Sequence, residues 1–179
     1  MVTIAIRKFK EEDISYKVKW INDERNNKYL HYDLPLREDK TLQWFKSLEG
    51  KKDRMDYIIT YEGKPAGLIG LLNIDFKKMD AEYYISLGTE EFKGKGIASI
   101  ATDLLIKKSY EEFDLNKIYL FTEVDNIQAQ KLFERNGFNK EKLIKKDLFY
   151  NGRYIDRYFY TLDVEKYIHR VGGLNNGSR

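Results

Sequence analysis

The chain contains no cysteine and only two histidines, His31 and His169. Without thiols there is no disulfide, no thiolate zinc site and no cysteine nucleophile. Two histidines cannot build a histidine-rich metal centre, and with no GxSxG segment a serine–histidine–acid triad would rest on His31 alone. No 18-residue apolar run occurs, and the N-terminus carries no apolar leader. The expected protein is therefore soluble and cytoplasmic, with no membrane partner. A strong charge bias is missing too: 32 basic residues against 29 acidic ones leave a net charge of +3. That is not the basic excess of a dedicated nucleic-acid binder, so neither nucleic acid nor metal is expected. No proline- or serine-rich linker and no internal repeat divides the 179 residues, a length that suits one domain.

What is present is a large apolar and aromatic fraction, 42% and 15%, with 14 Tyr and 10 Phe, enough for a substantial core. Alternation predicts a strand at 2–9, and helix-prone residues fill 11–30, with Tyr16, Val18, Trp20 and Ile21 as core contacts. A loop at 31–35 precedes a helix at 38–48. Strands follow at 54–61, 65–75 and 80–87. Ile97, Ile100, Ala101, Leu104 and Leu105 form one apolar stripe on a helix running to Phe113. The nearly continuous apolar run 117–124 reads as a strand covered on both faces. A helix capped by Asp125 or Asn126 ends at Asn136–Gly137. Two last strands, 140–150 and 153–162, flank the hairpin signal Asn151–Gly152. The pattern gives one α/β domain, residues 1–165, with a mixed sheet and a flexible tail at 166–179.

The segment EEFKGKGIASIATDLL, residues 90–105, places glycines and lysines directly before a helix. A helix N-terminus leaves N–H groups unpaired and carries about half a positive charge. Glycines let such a backbone approach an anion. The alternative is a plain turn with lysines facing water. The phosphate-loop pattern GxxxxGK followed by Ser or Thr is absent. A dinucleotide fingerprint fits poorly, with Ser99 at its third glycine position and the acidic Glu123 too far along the chain.

Residues 93–98, KGKGIA, resemble the acetyl-CoA loop of the GNAT N-acetyltransferases, with Gly96 and Ala98 at its small positions and Lys93 in place of the usual Arg or Gln. The resemblance continues in VDNIQAQKLFERNGF, where Asn126, Ala129, Leu132, Gly137 and Phe138 match a second block in the same order. The N-terminal segment resembles a subgroup that includes ribosomal-protein, spermidine and amino-sugar-nucleotide N-acetyltransferases. Coverage runs from about residue 3 to 163. The resemblance implies a mixed sheet of about seven strands flanked by about four helices, with two central parallel strands splayed around acetyl-CoA.

The resemblance also implies roles. The backbone of Lys93, Gly94, Lys95, Gly96, Ile97 and Ala98 would hold the CoA diphosphate, and Ile85, Ser86 and Leu87 the pantetheine arm. Asn126 would touch the cofactor or only cap its helix. Acetyl transfer to an amine needs a base and a donor for the developing oxyanion. Glu82, on one strand face with Tyr84 and Ser86, is the expected base, Glu123 a weaker candidate, and the backbone near Ser86 the donor. Phe133, expected to touch the cofactor or only to pack in the core, stands where many members carry a tyrosine assigned as the acid for the leaving thiolate. Tyr84, Tyr119 or water would have to replace it, or the thiolate departs unaided.

For the acceptor, Trp20, Asn26, Tyr29 and His31, with Asn22 and Tyr32, suit a sugar or nucleotide, and an amino-sugar nucleotide is the first expectation. A polyamine, held by Asp33, Glu38 and Asp39, and a ribosomal-protein N-terminus are the alternatives. A non-catalytic acyl-CoA sensor is the reading from another class. A homodimer is expected as an option, since relatives of this kind often dimerise.

Overall fold

Period-two alternation and turn residues set the strands where the sequence places them. In chain order the elements are β1 (Ile4–Lys8), a 3-10 turn (Glu11–Asp13), α1 (Ile14–Asn22), α2 (Glu24–Asn27), α3 (Glu38–Lys46), β2 (Met55–Tyr61), β3 (Lys64–Asp75) and β4 (Asp80–Leu87). Then follow α4 (Ile97–Phe113), β5 (Lys117–Glu123), α5 (Ile127–Arg135), β6 (Asn139–Tyr150), β7 (Arg153–Asp163) and α6 (Val164–Asn176). This computed structural model describes residues 2–176, with side chains to residue 172.

The seven strands form one sheet in the order β1-β2-β3-β4-β5-β7-β6. Every neighbouring pair is antiparallel except β4 with β5. That parallel pair is in register only from Asp80–Lys117 to Glu82–Tyr119. Past it the two strands part, while β4 stays paired to β3 as far as Leu87–Gly67.

Helices cover both faces. One core, around Ile69, Leu71, Ile97, Leu105 and Ile118, lies under α4, α5 and α6. A second, around Trp20, Ile21, Ile58 and Leu68, lies under α1 and α3. Burying these aliphatic side chains contributes about 1.5–3 kcal/mol each.

Four expectations are corrected. The helix predicted over 11–30 breaks at Asp23, whose backbone is extended (φ −73°, ψ 116°) and whose carboxylate accepts from the Arg25 amide at 3.0 Å. Asp23 thus starts a new short helix instead of continuing the first. The stripe on α4 is rotated: Ile97, Ala101 and Leu105 are buried, but Ile100 is 46% exposed. The tail predicted at 166–179 is instead helical through Asn176, because Tyr167 is buried and its hydroxyl donates to Asp103 of α4 at 2.9 Å. Residues 177–179 of that expectation lie outside the described residues. With these extra pieces the described residues hold six α-helices rather than about four.

Candidate active site

The glycine loop is built from main-chain geometry. Gly94 and Gly96 both take φ 74°, a left-handed value that a side chain disfavours, and Gly96 is the N-cap of α4. Two such glycines around Lys95 put the segment into conformations from which consecutive N–H groups can converge. No side chain caps α4, and among the described residues none accepts from the amides of Gly94, Lys95 or Gly96. The lysines are engaged elsewhere: Lys93 pairs with Glu90, and the Lys95 ammonium lies 5.2 Å from the Tyr61 ring centroid. The donors left without a partner in this loop are therefore backbone amides.

A cleft of about 760 Å³ runs from this loop through the parting of β4 and β5 to the α2–α3 connection. Lys93, Gly94 and Ala98 line its loop end, and Ile85, Ser86 and Leu87 its β4 wall. Lys95, Gly96 and Ile97 do not line it, and the Ile97 side chain is buried in the core. Asn126 and Phe133 close the α5 side. The Asn126 side-chain oxygen accepts from the Ala129 amide at 3.2 Å, so this residue caps α5 while facing the cleft. Phe133 is buried, edge-on to Tyr83 and Phe138 with centroids 5.8 and 5.9 Å away.

The expected catalytic pair separates. Glu82 lines the cleft where β4 and β5 last pair, and its Oε2 accepts from the Asn73 amide at 2.9 Å. Tyr84 also lines the cleft, but its ring lies across Gly70 and its hydroxyl donates to Asp56 at 2.5 Å. Arg54 grips the same carboxylate at 2.7 and 2.9 Å. Burial first, and then the neighbouring Asp56, hold the Tyr84 phenol protonated well above the ordinary tyrosine range.

Of the expected acceptor contacts, Asn26, Tyr29 and His31 line the cleft and Trp20 does not. Trp20 is 4% exposed in the second core, its ring so close over Gly88 that any Cβ there would clash. Its removal from the site follows from that packing. Asn26 donates to the Gly88 carbonyl at 2.6 Å, and Tyr29 donates across the cleft to the Asp125 carbonyl at 3.0 Å. Asn22 exchanges two hydrogen bonds with Leu36 and is structural. Asp33, Glu38 and Asp39 lie outside the cleft lining, Asp39 being paired with Arg37.

Sequence reasoning treated His31 and Glu123 separately, yet their side chains meet 2.8 Å apart. It passed over Phe121 and Arg157, both of which line the cleft. The signal lay in β5: Ile118, Leu120 and Thr122 are buried, so Tyr119, Phe121 and Glu123 share the other face.

A sheet opened at its one parallel pair, beside a helix that begins on unshared amides, defines an acyl-CoA-dependent transferase. The model described as an acetyltransferase (GNAT) domain matches residues 3–139, and the chain belongs to that family. It is an acetyl-CoA-dependent N-acetyltransferase. A Bacillus subtilis protein named as a ribosomal N-acetyltransferase, YdaF, is 35% identical over 106 residues, covering 58% of this chain and 56% of that one. The spermidine N(1)-acetyltransferase of Vibrio cholerae is 27% identical over 170 residues, covering 93% and 96%. The crystal structure of spermidine N-acetyltransferase from Vibrio cholerae with CoA and spermine superposes with a TM-score of 0.85 at 24% identity, over 92% of this chain and 98% of that one, a likeness of fold. A dodecameric structure of that enzyme gives a TM-score of 0.81 at 23% identity, over 93% and 97%.

Proposed function

We propose that this chain transfers the acetyl group of acetyl-CoA to a primary amine of a small polyamine of the spermidine class. One observation carries the reading: a single cleft joins the uncapped start of α4 to two carboxylates, Glu82 and Glu123, through the opening between β4 and β5. Backbone amides at a helix start suit a diphosphate. Ile85, Ser86 and Leu87 lie on the β4 edge that β5 leaves unpaired, where an amide-bearing arm can add like a strand. Acetyl-CoA supplies the activated acyl group. Main-chain N–H near Ser86 is the donor for the oxygen that becomes negative.

Phe133 provides an apolar wall and no proton. Neighbouring hydroxyls do not replace it: Tyr84 donates to Asp56, Tyr83 gives its hydrogen to Thr102, whose own goes to the Ala98 carbonyl, and Tyr119 does not line the cleft. The thiolate therefore leaves without a tyrosine donor.

A polyamine fits better than the amino-sugar nucleotide expected from the sequence. Trp20, one of the rings meant to stack on a flat group, is in the core, whereas Glu82 and Glu123 stand in the cleft as a second ammonium requires. The spermidine acetyltransferases among the relatives support the same choice.

Calorimetry with CoA and a thiol-release assay on spermidine, spermine, an amino-sugar nucleotide and an N-terminal peptide test the reading. CoA binding and fastest turnover on spermidine are expected. A sugar substrate with an inert spermidine overturns the acceptor, and a folded chain indifferent to CoA overturns the whole reading.

A further inference from the structure

Acetyl transfer to an amine requires a group that removes the ammonium proton, and a carboxylate that can pass this proton on is better than one that cannot. Glu82 is bonded to a side-chain amide, which has no protonation equilibrium to offer. Glu123 is bonded to an imidazole: His31 Nε2 lies 2.8 Å from Glu123 Oε1, although the residues are 92 positions apart. The Glu123 side chain is 7% exposed and that of His31 24%, so the carboxylate faces inward while the ring reaches solvent.

Both partners are fixed from outside. His31 stands edge-on to Tyr150 of the β6–β7 hairpin, centroids 5.1 Å apart, and the Tyr150 hydroxyl donates to the Tyr32 carbonyl at 2.7 Å. Tyr29 clamps the chain just past Glu123 through the Asp125 carbonyl. The charged groups around the pair come from several elements. Arg153 of β7 is 4.0 Å from Glu123 Oε2, and Arg157 is the cross-strand partner of Glu123, held by Asp147 of β6 at 2.7 Å. Glu82, Asp125, Arg25, Lys28 and Lys93 complete the charges of the cleft wall.

We propose that Glu123 takes the proton of the acceptor ammonium and that His31 carries it to solvent. This rests on the acetyltransferase reading above. With Nδ1 protonated, the Nε2 lone pair and the Glu123 carboxylate face each other with no hydrogen between them; the ammonium N–H bond then breaks and its proton passes to Glu123, closing the 2.8 Å contact as a hydrogen bond. The carboxylic acid hands a proton to Nε2, and the imidazolium releases the Nδ1 proton to water. The freed amine lone pair forms the C–N bond as the thioester C–S bond breaks, the thiolate carrying away the electron pair. The second nitrogen proton passes to the departing sulfur as the amide forms, and exchange with water returns the ring to its Nδ1–H tautomer before the next turnover. Glu123 is then the catalytic residue, His31 a positioning residue acting through it, and Glu82 the anchor for the distant ammonium.

The test pairs kinetics with a direct titration. Glu123→Gln and His31→Gln should each lower kcat for spermidine by about 10²–10³-fold, with CoA affinity unchanged and effects that do not add. His31→Gln should also flatten the rising limb of the pH–rate profile, and added imidazole should restore part of the rate to His31→Ala but none to Glu123→Gln. In the unmutated protein with CoA bound, the two histidine ring signals should separate in NMR, because His169 is 75% exposed and His31 only 24%. The His31 midpoint should coincide with that limb and move in Glu123→Gln. His31→Gln within twofold of the parent, or a His31 midpoint away from the limb, overturns the relay. If the variants do not fold, the titration of the parent protein still decides. A chain that binds CoA yet acetylates no amine removes the acetyl-acceptor reading itself, an outcome distinct from an active enzyme indifferent to His31.

Discussion

Lys17 occupies a place where a lysine is rarely found, the buried face of α1. It is 5% exposed, with its ammonium 3.8 Å from the Trp44 ring centroid and Tyr32 and Phe9 close by. Burial pulls its pKa from the ordinary 10.5 down to about 8, against the pull of nearby Asp56. The folded state therefore binds fewer protons than the unfolded state between these values, and stability rises as pH climbs through that window. Below it the full cost of the buried charge remains, about 3 kcal/mol for a shift of this size. Attraction to Trp44, about 0.5–2 kcal/mol, works the other way. We expect Lys17→Met to be more stable at pH 7 by about 1–3 kcal/mol. Urea unfolding at pH 7 to 10.5 should show the parent catching up as pH rises, and parallel curves for the two proteins would refute the assignment.

Among the elements, α4 shows what a single sequence discloses and what it hides. Its limits were legible because Gly96 and the end of the apolar run mark them, and the strands were legible from alternation and from turns such as Asn151–Gly152. Its buried face was not. Thr102 and Ser109 read as polar, yet their hydroxyls donate to the Ala98 and Ile106 carbonyls at 2.7 and 2.6 Å, so they bury like apolar residues while Ile100 turns outward. The break at Asp23 was hidden for a similar reason, since a helix-starting aspartate looks like any surface charge. In the site, main-chain donors followed from the glycines, but the meeting of His31 with Glu123 depends on tertiary packing that no local pattern encodes. The glycine argument has its own check. Gly96→Ala should cost about 1–2 kcal/mol of stability through its left-handed φ and weaken CoA binding about tenfold or more. Gly152→Ala, at φ 76° in the distant hairpin, should cost a similar stability and leave CoA affinity alone. Equal CoA affinity in both variants would show that the loop backbone does not meet the ligand.

At the scale of the whole molecule, β3 and β4 pair from Gly67–Leu87 to Asp75–Asp80, and β5 and β7 over the full length of β5. Between these two ladders only three residue pairs stitch the sheet across its middle. The molecule is thus two half-sheets sewn at one end of a seam, with α4 passing from one half to the other. Under the proposed binding mode, the thioester carrier is mortar as well as reactant, filling the seam with hydrogen bonds that the chain does not supply for itself. At a hundredfold excess over its Kd, CoA should add about 2.7 kcal/mol of stability, a rise in Tm of roughly 5–10 °C for a domain of this size. Amide exchange should slow along Tyr83–Leu87 and at the start of α4, while the distant β1–β2 edge keeps its native rates. A uniform slowing across the sheet would mean that the ligand tightens the fold without closing the seam. Slowing confined to the seam would make each catalytic cycle a reversible completion of the sheet, with release of CoA reopening the gap by which the next molecule enters.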